Sequence, residues 1–246
     1  MSKKKNLVLF SGGKDSLFST CLTIEEGNHA SLITYNNGHL REPENVKHGV
    51  GRILKRYGNK SAEFLGVVDV REIWWDLRSP IYHMTPSKIA EHGGATYNQL
   101  QCLTCRTSMY VDAITRCKQL GIDTVVDGAR ESQGFVNQSE PMVQRYREMF
   151  KEYGIDWQTP VWDLKDDWKL KNDLLSRDIT PKTLEPMCVV GYPLDQVPEP
   201  DDVIQGTVNL FDKYVLPEIP RLVEKNKNKP LVNTVKNVRL SIGIDL

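Results

Sequence analysis

The sequence predicts an α/β protein, in which a Rossmann-like parallel sheet carries helices on both faces and a small helical C-terminal extension follows. Three observations predict it. Short apolar runs alternate with segments whose apolar residues recur at helical spacing. The first apolar run ends in two glycines and leads directly into such a helical segment. The chain has 246 residues, enough for a main domain at 1–195 and an appendage at 196–246.

The first part of the chain supplies three strands and three helices in alternation. Leu17, Cys21 and Ile24 share one face of the first helix, which ends at Gly27 and Asn28. We predict strands at 6–10, 30–35 and 62–70, and helices at 15–26, 43–57 and 71–78. This order is typical of a parallel sheet that is covered on both sides.

The segment 79–101 interrupts the alternation. It contains Pro80, Pro86, Gly93 and Gly94, and we expect a long irregular excursion there. Beyond it we predict helices at 105–120, 140–153, 166–176 and 203–223, and strands at 124–127 and 158–161. The sheet therefore continues after the excursion, and the chain ends in helix.

Composition restricts the function classes. Thirty-two basic and 32 acidic side chains cancel, so no global field attracts nucleic acid, and RNA binding would need a local patch. The best candidate is the lysine-rich stretch 225–229, for which a solvated turn is the alternative. No apolar run approaches the length of a membrane span. Five cysteines without a secretory signal predict the reducing cytoplasm.

The loop after the first strand reads SGGKDS and has the ingredients of an anion site. It fits neither the GxxxxGK[ST] phosphate loop nor the GxGxxG dinucleotide fingerprint. Gly12 and Gly13 let the backbone approach an oxyanion, and the start of a helix adds partial positive charge. Ser11 and Ser16 can donate hydroxyl hydrogen bonds, and Lys14 adds a full charge. The sequence therefore predicts a phosphate site.

Asp15 is the unusual member of this loop, because a carboxylate repels a phosphate. It is explained either as an N-terminal helix cap or as a ligand to a Mg²⁺ that bridges carboxylate and phosphate. The alternative for the whole loop is a glycine-rich turn with a capping aspartate and no ligand.

The strand–SGGKDS–helix unit resembles the PP-loop of the ATP pyrophosphatases, which include GMP synthetase, asparagine synthetase, tRNA-lysidine synthetase and several thiolases. The resemblance implies a HUP-type Rossmann-like sheet and a loop that holds the β–γ pyrophosphate of ATP, with Lys14 and Asp15 catalytic. A substrate carbonyl oxygen is then adenylated, pyrophosphate leaves, and a nucleophile displaces AMP. It also implies nucleotide contacts at Tyr35, at Gly128 after the fourth strand, and at Arg130, with Lys165 as a second pyrophosphate ligand.

The five cysteines divide into two groups. Cys21 and Cys117 fall on apolar helix faces and are expected in the core. Cys102 and Cys105 form a CxxC just ahead of the predicted helix 105–120, and Cys188 lies in a later loop. Because a helix N-terminus lowers the pKa of a thiol, this position favours metal, cluster or redox chemistry.

The three cysteines outside the core leave four interpretations open. They could hold a [4Fe–4S] cluster with one iron open to sulfide. They could hold Zn²⁺, with His83 or His92 as the fourth ligand. They could relay a persulfide and be resolved as a disulfide. In the fourth interpretation they share no role.

The layout Cys102-Leu-Thr-Cys105-Arg106, then Val125-Val-Asp-Gly128, then Cys188 is similar to the sulfur-transferring branch of the PP-loop enzymes. That branch includes the iron–sulfur tRNA thiolases and the sacrificial sulfur transferase of the nickel-pincer pathway. The resemblance implies sulfur transfer through the three cysteines, with Cys188 catalytic, and a [4Fe–4S] cluster. The GHxxDD motif of the thiolases is replaced here by DGARESQ at 127–133.

The resemblance also implies partners and alternatives. The substrate is a small molecule or a nucleobase, and tRNA is a candidate although no separate RNA-binding domain is recognised. A sulfur-donor protein and a homodimer are expected, and a membrane is not. The alternative function is an amide- or nitrile-forming ligase similar to 7-cyano-7-deazaguanine synthase, with a structural metal at the cysteines. A nucleotide-binding sensor without turnover is the third hypothesis.

Overall fold

The computed structural model describes residues 3–93, 95, 97–181, 187–188 and 200–230. Its centre is a parallel sheet with the strand order β4-β2-β1-β5-β6. The strands are β1 (Lys5–Leu9), β2 (His29–Asn36), β4 (Ala62–Asp69), β5 (Thr124–Val126) and β6 (Asp156–Gln158). The predicted fold class is confirmed, and the last strand lies slightly before the predicted 158–161.

Helices cover both faces of this sheet. They are α1 (Lys14–Glu25), α2 (Val46–Tyr57), α3 (Arg71–Tyr82), α4 (Pro86–Ala90), α5 (Tyr97–Leu120), α6 (Glu140–Glu152), α7 (Asp167–Leu175), α8 (Asp201–Leu210) and α9 (Ile219–Asn226). Because successive strand residues point to opposite faces, neighbours along a strand enter different cores. Leu7, Ile33 and Val125 lie in one core cluster, and Val8, Leu32 and Val126 lie in the other.

The predicted irregular excursion at 79–101 is wrong in large part. Helix α3 continues through Pro80 to Tyr82, and α4 follows after a short turn. Helix α5 begins at Tyr97, two turns before the predicted start at Cys105. The two cysteines of the CxxC therefore lie inside a helix, one turn apart, rather than ahead of it.

The strand order reverses between β1 and β5, which pair directly through Leu7–Val125 and Val8–Val126. Strands β2 and β4 lie on one side of this pair and β6 lies on the other. The loops that follow β1 and β5 therefore diverge and flank a crevice. One is the SGGKDS loop and the other begins at Asp127. The topology therefore creates a ligand site between them.

A second, two-stranded sheet lies at the edge of the main sheet where the carboxyl ends of its strands meet. Strand β3 (Leu40–Arg41) pairs antiparallel with β7 (Met187–Cys188), with Leu40 opposite Cys188. Residue 40 follows soon after β2, so the pairing brings a cysteine from far along the chain to the carboxyl edge of the main sheet. Nothing in the sequence pattern predicts strands this short.

The C-terminal helices belong to the larger core. Phe211 and Leu222 are buried in the same cluster as Tyr110 and Ile114 of α5. The predicted domain boundary at 195 lies outside the described residues, so the division at that point stays a prediction. Within the described ranges, no helix combines the length and the apolar character that crossing a bilayer requires.

Candidate active site

The SGGKDS loop is held by hydrogen bonds among its own residues. Gly12 has a φ of +80°, a left-handed conformation that favours glycine. The backbone N–H of Gly13 donates to Ser11 Oγ at 3.2 Å, and Ser16 Oγ donates to the carbonyl oxygen of Gly13 at 3.0 Å. The two serine hydroxyls are 3.2 Å apart. The hydroxyls and the start of α1 thus form a small polar cradle.

Two further glycines let other backbone segments approach this loop. A Cβ atom on Gly49 of α2 would lie 3.1 Å from the Cα of Gly12 and 3.0 Å from the ring of Phe10. A Cβ on Gly128 would lie 2.9 Å from the backbone nitrogen of Ser16. Gly128 therefore supports the loop directly. Sequence reasoning missed Gly49, whose signal was a glycine inside a helical pattern.

The charges of the site form one connected group. Lys14 Nζ lies 2.6 Å from Asp167 Oδ2, and the Arg130 guanidinium lies 2.6 Å from Asp167 Oδ1. Arg130 Nε also lies 3.0 Å from Asp15 Oδ1. Two cations and two carboxylates therefore face each other beside the loop. The sequence pointed to Lys165, two positions before Asp167, but not to Asp167 itself.

Asp15 does not cap the helix, so that alternative is wrong. The residue lies inside α1, and the residue preceding the helix is Gly13, with no side-chain cap. Its carboxylate instead accepts a hydrogen bond from Gln133 Nε2 at 2.7 Å. Burial raises the pKa of Asp15, although Arg130 and Lys14 pull the pKa down. Its Oδ1 atom is buried without an aligned hydrogen bond, despite its short contact with Arg130.

A chain of amides orients this carboxylate. The backbone N–H of Arg130 donates to Gln138 Oε1 at 2.7 Å, and Gln138 Nε2 donates to Gln133 Oε1 at 2.8 Å. Gln133 in turn donates to Asp15. Burial opposes the charge of Asp167, yet hydrogen bonds from Lys14 and Arg130 lower the pKa of that carboxyl. Hydrogen bonds from neighbouring side chains therefore position both carboxylates in this structure.

A cavity of about 580 Å³ extends from this charged group along the carboxyl edge of the sheet. The SGGKDS loop and Arg130 line one part of it, and Thr34 and Tyr35 border it at the end of β2. The ring of Tyr35 is buried in the larger core cluster. Lys165 lies on the rim, with 80% of its side chain exposed and its Nζ 3.9 Å from Glu131.

Two cysteine thiols line the same cavity. Cys105 reaches it from α5 and Cys188 reaches it from β7. Burial, together with the neighbouring thiols of Cys102 and Cys188, raises the pKa of Cys105 to about 12. Asn37 Nδ2 donates a hydrogen bond to Cys105 Sγ. The lowered pKa expected at a helix N-terminus is wrong, because α5 begins at Tyr97 and the half-buried Cys105 lies in its third turn.

A hydrogen bond from the backbone fixes the orientation of the Asn37 side-chain amide. Its Oδ1 accepts from the backbone N–H of His39 at 3.1 Å, so the NH₂ group must point to the thiol. The three thiols interact electrostatically, but no group of three His, Cys, Asp or Glu side chains in the described ranges is placed to hold a metal ion. The rings of His83 and His92 pack against Tyr82 and Tyr214 instead.

Arg106, next to the CxxC, anchors the loop after β5. Its guanidinium donates to both oxygens of Asp127 at 2.9 and 2.8 Å, and Tyr110 Oη donates to Asp127 Oδ2 at 2.6 Å. Burial opposes the charge of Arg106, yet Asp127 and Tyr110 raise the pKa of the guanidinium. This buried pair joins the cysteine helix to the loop that carries Gly128.

Comparisons with known proteins show a family and a fold that this chain shares. The family model of the thiamine biosynthesis protein ThiI matches residues 1–138, more than half of the chain. A comparison with curated sequences gives no match. A solved 4-thiouridine synthetase in complex with RNA and with bound ATP has 15% identity and a TM-score of 0.62; the match covers 92% of this chain and 54% of that one. This chain thus spans about half of that protein's length, and the likeness supports the fold alone.

A second solved structure is more distant. It is the U34-tRNA thiolase NcsA from Methanococcus maripaludis with its [4Fe–4S] cluster, at 15% identity and a TM-score of 0.46. The match covers 93% of this chain and 74% of that one.

Proposed function

This chain belongs to the family of the thiamine biosynthesis protein ThiI, a family of PP-loop ATP pyrophosphatases, and we propose that it replaces a carbonyl oxygen by sulfur at the expense of ATP. One observation carries the proposal: a single cavity joins the SGGKDS loop to the thiols of Cys105 and Cys188. The loop activates the oxygen, and the thiols deliver the sulfur. The family favours this function over the amide-forming alternative.

The residues of the loop fit ATP. The cradle has a glycine in a left-handed conformation, and Asp15 Oδ1 and Arg130 Nε are buried beside it without aligned hydrogen bonds. Ser11, Ser16 and Lys14 would bind the β- and γ-phosphates, and Arg130 the α-phosphate. The Asp15 carboxylate would hold a Mg²⁺, which would neutralise negative charge on the phosphates.

Binding of ATP requires the charged group to rearrange. Lys14 and Arg130 both hold Asp167 in this structure, and phosphate oxygens would compete for the same cations. The carbonyl oxygen of the substrate then attacks the α-phosphorus. The α–β bond breaks, and pyrophosphate leaves with the bonding electron pair. The chain contributes position and charge, and one such donor is worth roughly 10²–10³ in rate.

The second step exchanges AMP for sulfur. We assign a persulfide, supplied by a sulfur-donor protein, to Cys188, because the Cys105 thiol is protonated at neutral pH. The outer sulfur attacks the activated carbon, the C–O bond breaks, and AMP leaves with its electrons. The Cys105 sulfur then attacks the Cys188 sulfur, the S–S bond to the outer sulfur breaks, and the outer sulfur stays on the substrate, which takes up the proton of the Cys105 thiol. A disulfide between Cys105 and Cys188 remains, and an external dithiol must reduce it.

The thiols of Cys102, Cys105 and Cys188 are not placed as ligands of one metal, so neither the [4Fe–4S] cluster nor the Zn²⁺ alternative fits them. We derive no step through either. The check is the iron, sulfide and zinc content of protein purified without oxygen. Stoichiometric iron with labile sulfide, or stoichiometric zinc, would replace the thiol relay.

The substrate class rests on similarity. RNA is the proposed substrate, because the 4-thiouridine synthetase that shares the fold is solved in complex with RNA. A homodimer stays a prediction. Cys21 and Cys117 are buried thiols rather than disulfides, which supports the proposed cytoplasmic location.

The proposal is tested with ATP, an unmodified tRNA transcript and a persulfide donor. We expect AMP, pyrophosphate and a thionucleoside in equal amounts, measured by chromatography and mass spectrometry. Lys14→Met should abolish all three products, and Cys188→Ser should abolish only the thionucleoside. Cys21→Ala, in the core on the other face of the sheet, is the matched control and should retain them. Formation of ADP and phosphate, or full thiolation by Cys188→Ser, would overturn the proposal.

A further inference from the structure

Helix α3 carries an exposed aromatic face that the reaction does not use. Trp75 is 55% exposed and Tyr82 is 53% exposed. The Arg78 guanidinium lies between them, 5.5 Å from the centre of the Trp75 ring and 4.6 Å from that of Tyr82. These three positions share one face of the helix, at spacings of three and four. We call Trp75, Arg78 and Tyr82 the α3 platform.

The platform is built on a rigid base. Trp74 is buried beneath it, with its ring 5.6 Å from that of Trp75 and 4.8 Å from the Arg78 guanidinium. The His39 ring meets Trp74 edge-on at 4.6 Å. The platform therefore does not require a partner to hold its shape.

A groove lies between Trp75 of the platform and Asn37 at the cavity of the active site. It has a volume of about 690 Å³, and Trp74, Trp75 and His39 are among its lining residues. Asn37 lines both this groove and the cavity, where its amide contacts the Cys105 thiol. A chain that occupies the groove would thus lie beside the cavity that holds the two thiols.

The charges of the groove cancel. Arg71 is paired with Asp69, and Lys229 with Glu72. Phosphates would therefore find little unbalanced positive charge, whereas flat rings would find two exposed aromatic faces and a guanidinium plane. Unpaired RNA bases are bound by stacking on these groups.

From this arrangement we propose that the α3 platform binds nucleobases of a single-stranded RNA segment, and that the groove leads the adjoining nucleotide to the thiols. The inference rests on the proposed function for the identity of the reacting unit. Because stacking carries the interaction, we expect its salt dependence to be weaker than that of a binding site made of phosphate contacts.

The test is the affinity for a short, fluorescently labelled single-stranded RNA of mixed sequence, measured by fluorescence anisotropy without ATP. Trp75→Ala should weaken binding by about 5- to 150-fold, the range found when a stacked base loses its aromatic partner. Trp75→Phe keeps a ring and should retain most of the affinity. Trp75 is exposed, so both variants should keep the fold, which circular dichroism checks.

The matched control is Trp168→Ala. Trp168 is 72% exposed, and Lys171 lies 5.2 Å from its ring, but it belongs to α7 on the other face of the sheet. We expect unchanged RNA affinity. An equal loss in the Trp75 and Trp168 variants, or no RNA binding by the unmodified chain, would overturn the inference.

Two further outcomes separate this inference from the proposed function. If Trp75→Ala alters the oligomeric state in sedimentation but leaves RNA affinity unchanged, the platform is a contact between copies and the inference falls. If Trp75→Ala weakens RNA binding while the unmodified chain forms no AMP with tRNA, the platform stands and the sulfur-transfer function falls. Binding without ATP makes the two readouts independent.

Discussion

The thiol of Cys105 should be almost entirely protonated at neutral pH. Burial, with a smaller contribution from the thiols of Cys102 and Cys188, raises its pKa from the ordinary value of 9.0 to about 12. A change of this size lowers the thiolate fraction at neutral pH about 1,000-fold, because each pH unit is a factor of ten. Only the thiolate reacts with iodoacetamide.

The assay follows alkylation of Cys105 as a function of pH, with the peptide quantified by mass spectrometry. In the folded chain the rate should keep rising about tenfold per pH unit beyond pH 9. In the urea-unfolded chain it should level off near pH 9, and this comparison controls for intrinsic reactivity. A folded-state rate that levels off at or below pH 9 would refute the reasoning.

The same thiol provides a matched variant and a stability effect. Asn37 donates to Cys105 Sγ and favours the thiolate, so Asn37→Ala should slow alkylation further at each pH. Between pH 9 and about pH 12 the unfolded thiol loses its proton while the folded thiol keeps it. Unfolding then releases protons, and this contribution to the free energy of unfolding falls as pH rises through the window.

Three other predictions concern the nucleotide site and its support. Arg130→Ala should lower kcat/KM for ATP by roughly 10²–10³, because the α-phosphate loses the guanidinium donor that the proposal assigns to it, and pyrophosphate release measures it. Gly49→Ala should raise the KM for ATP, because the new Cβ presses on the loop, whereas Gly51→Ala, on the opposite side of α2, should not. Asp127→Asn should lower the free energy of unfolding by about 3–5 kcal/mol in urea denaturation, because Arg106 stays buried without its counter-charge.

Each of these has an outcome that contradicts it. Full activity in Arg130→Lys would show that a positive charge alone, rather than the forked donor of a guanidinium, is needed at the α-phosphate. Equal KM values for the two glycine variants would remove the close approach of α2 as a cause. A change below about 1 kcal/mol in Asp127→Asn would mean that the pair behaves as an exposed one.

The sheet and the loop were predictable because each depends on local sequence. Buried parallel strands are short apolar runs, and SGGKDS follows the first of them directly. The residues at which helices begin and end were harder to predict from the sequence. Pro80 and the polar segment before Cys102 both predicted irregular chain, yet packing against the core carries α3 and α5 through them. The α3 platform was missed because Tyr82 joins Trp75 on one face only if the helix continues.

Long-range contacts account for the rest. Asp167 binds Lys14 across 153 positions, and no local pattern marks one aspartate among its neighbours as the partner. Cys188 reaches the cavity through a two-residue strand paired with Leu40, which has no sequence signal of its own. Burial of Cys105 likewise depends on what packs over α5, so the direction of its pKa shift required the structure.

The central claim is that ATP activates the carbonyl oxygen that sulfur then replaces. The most direct measurement uses an RNA substrate whose reacting base carbonyl carries ¹⁸O, with mass spectrometry of the nucleotide product. The account predicts AMP with one ¹⁸O atom for every thionucleoside formed. AMP without the label, or ¹⁸O in inorganic phosphate or water alongside the thionucleoside, would contradict it.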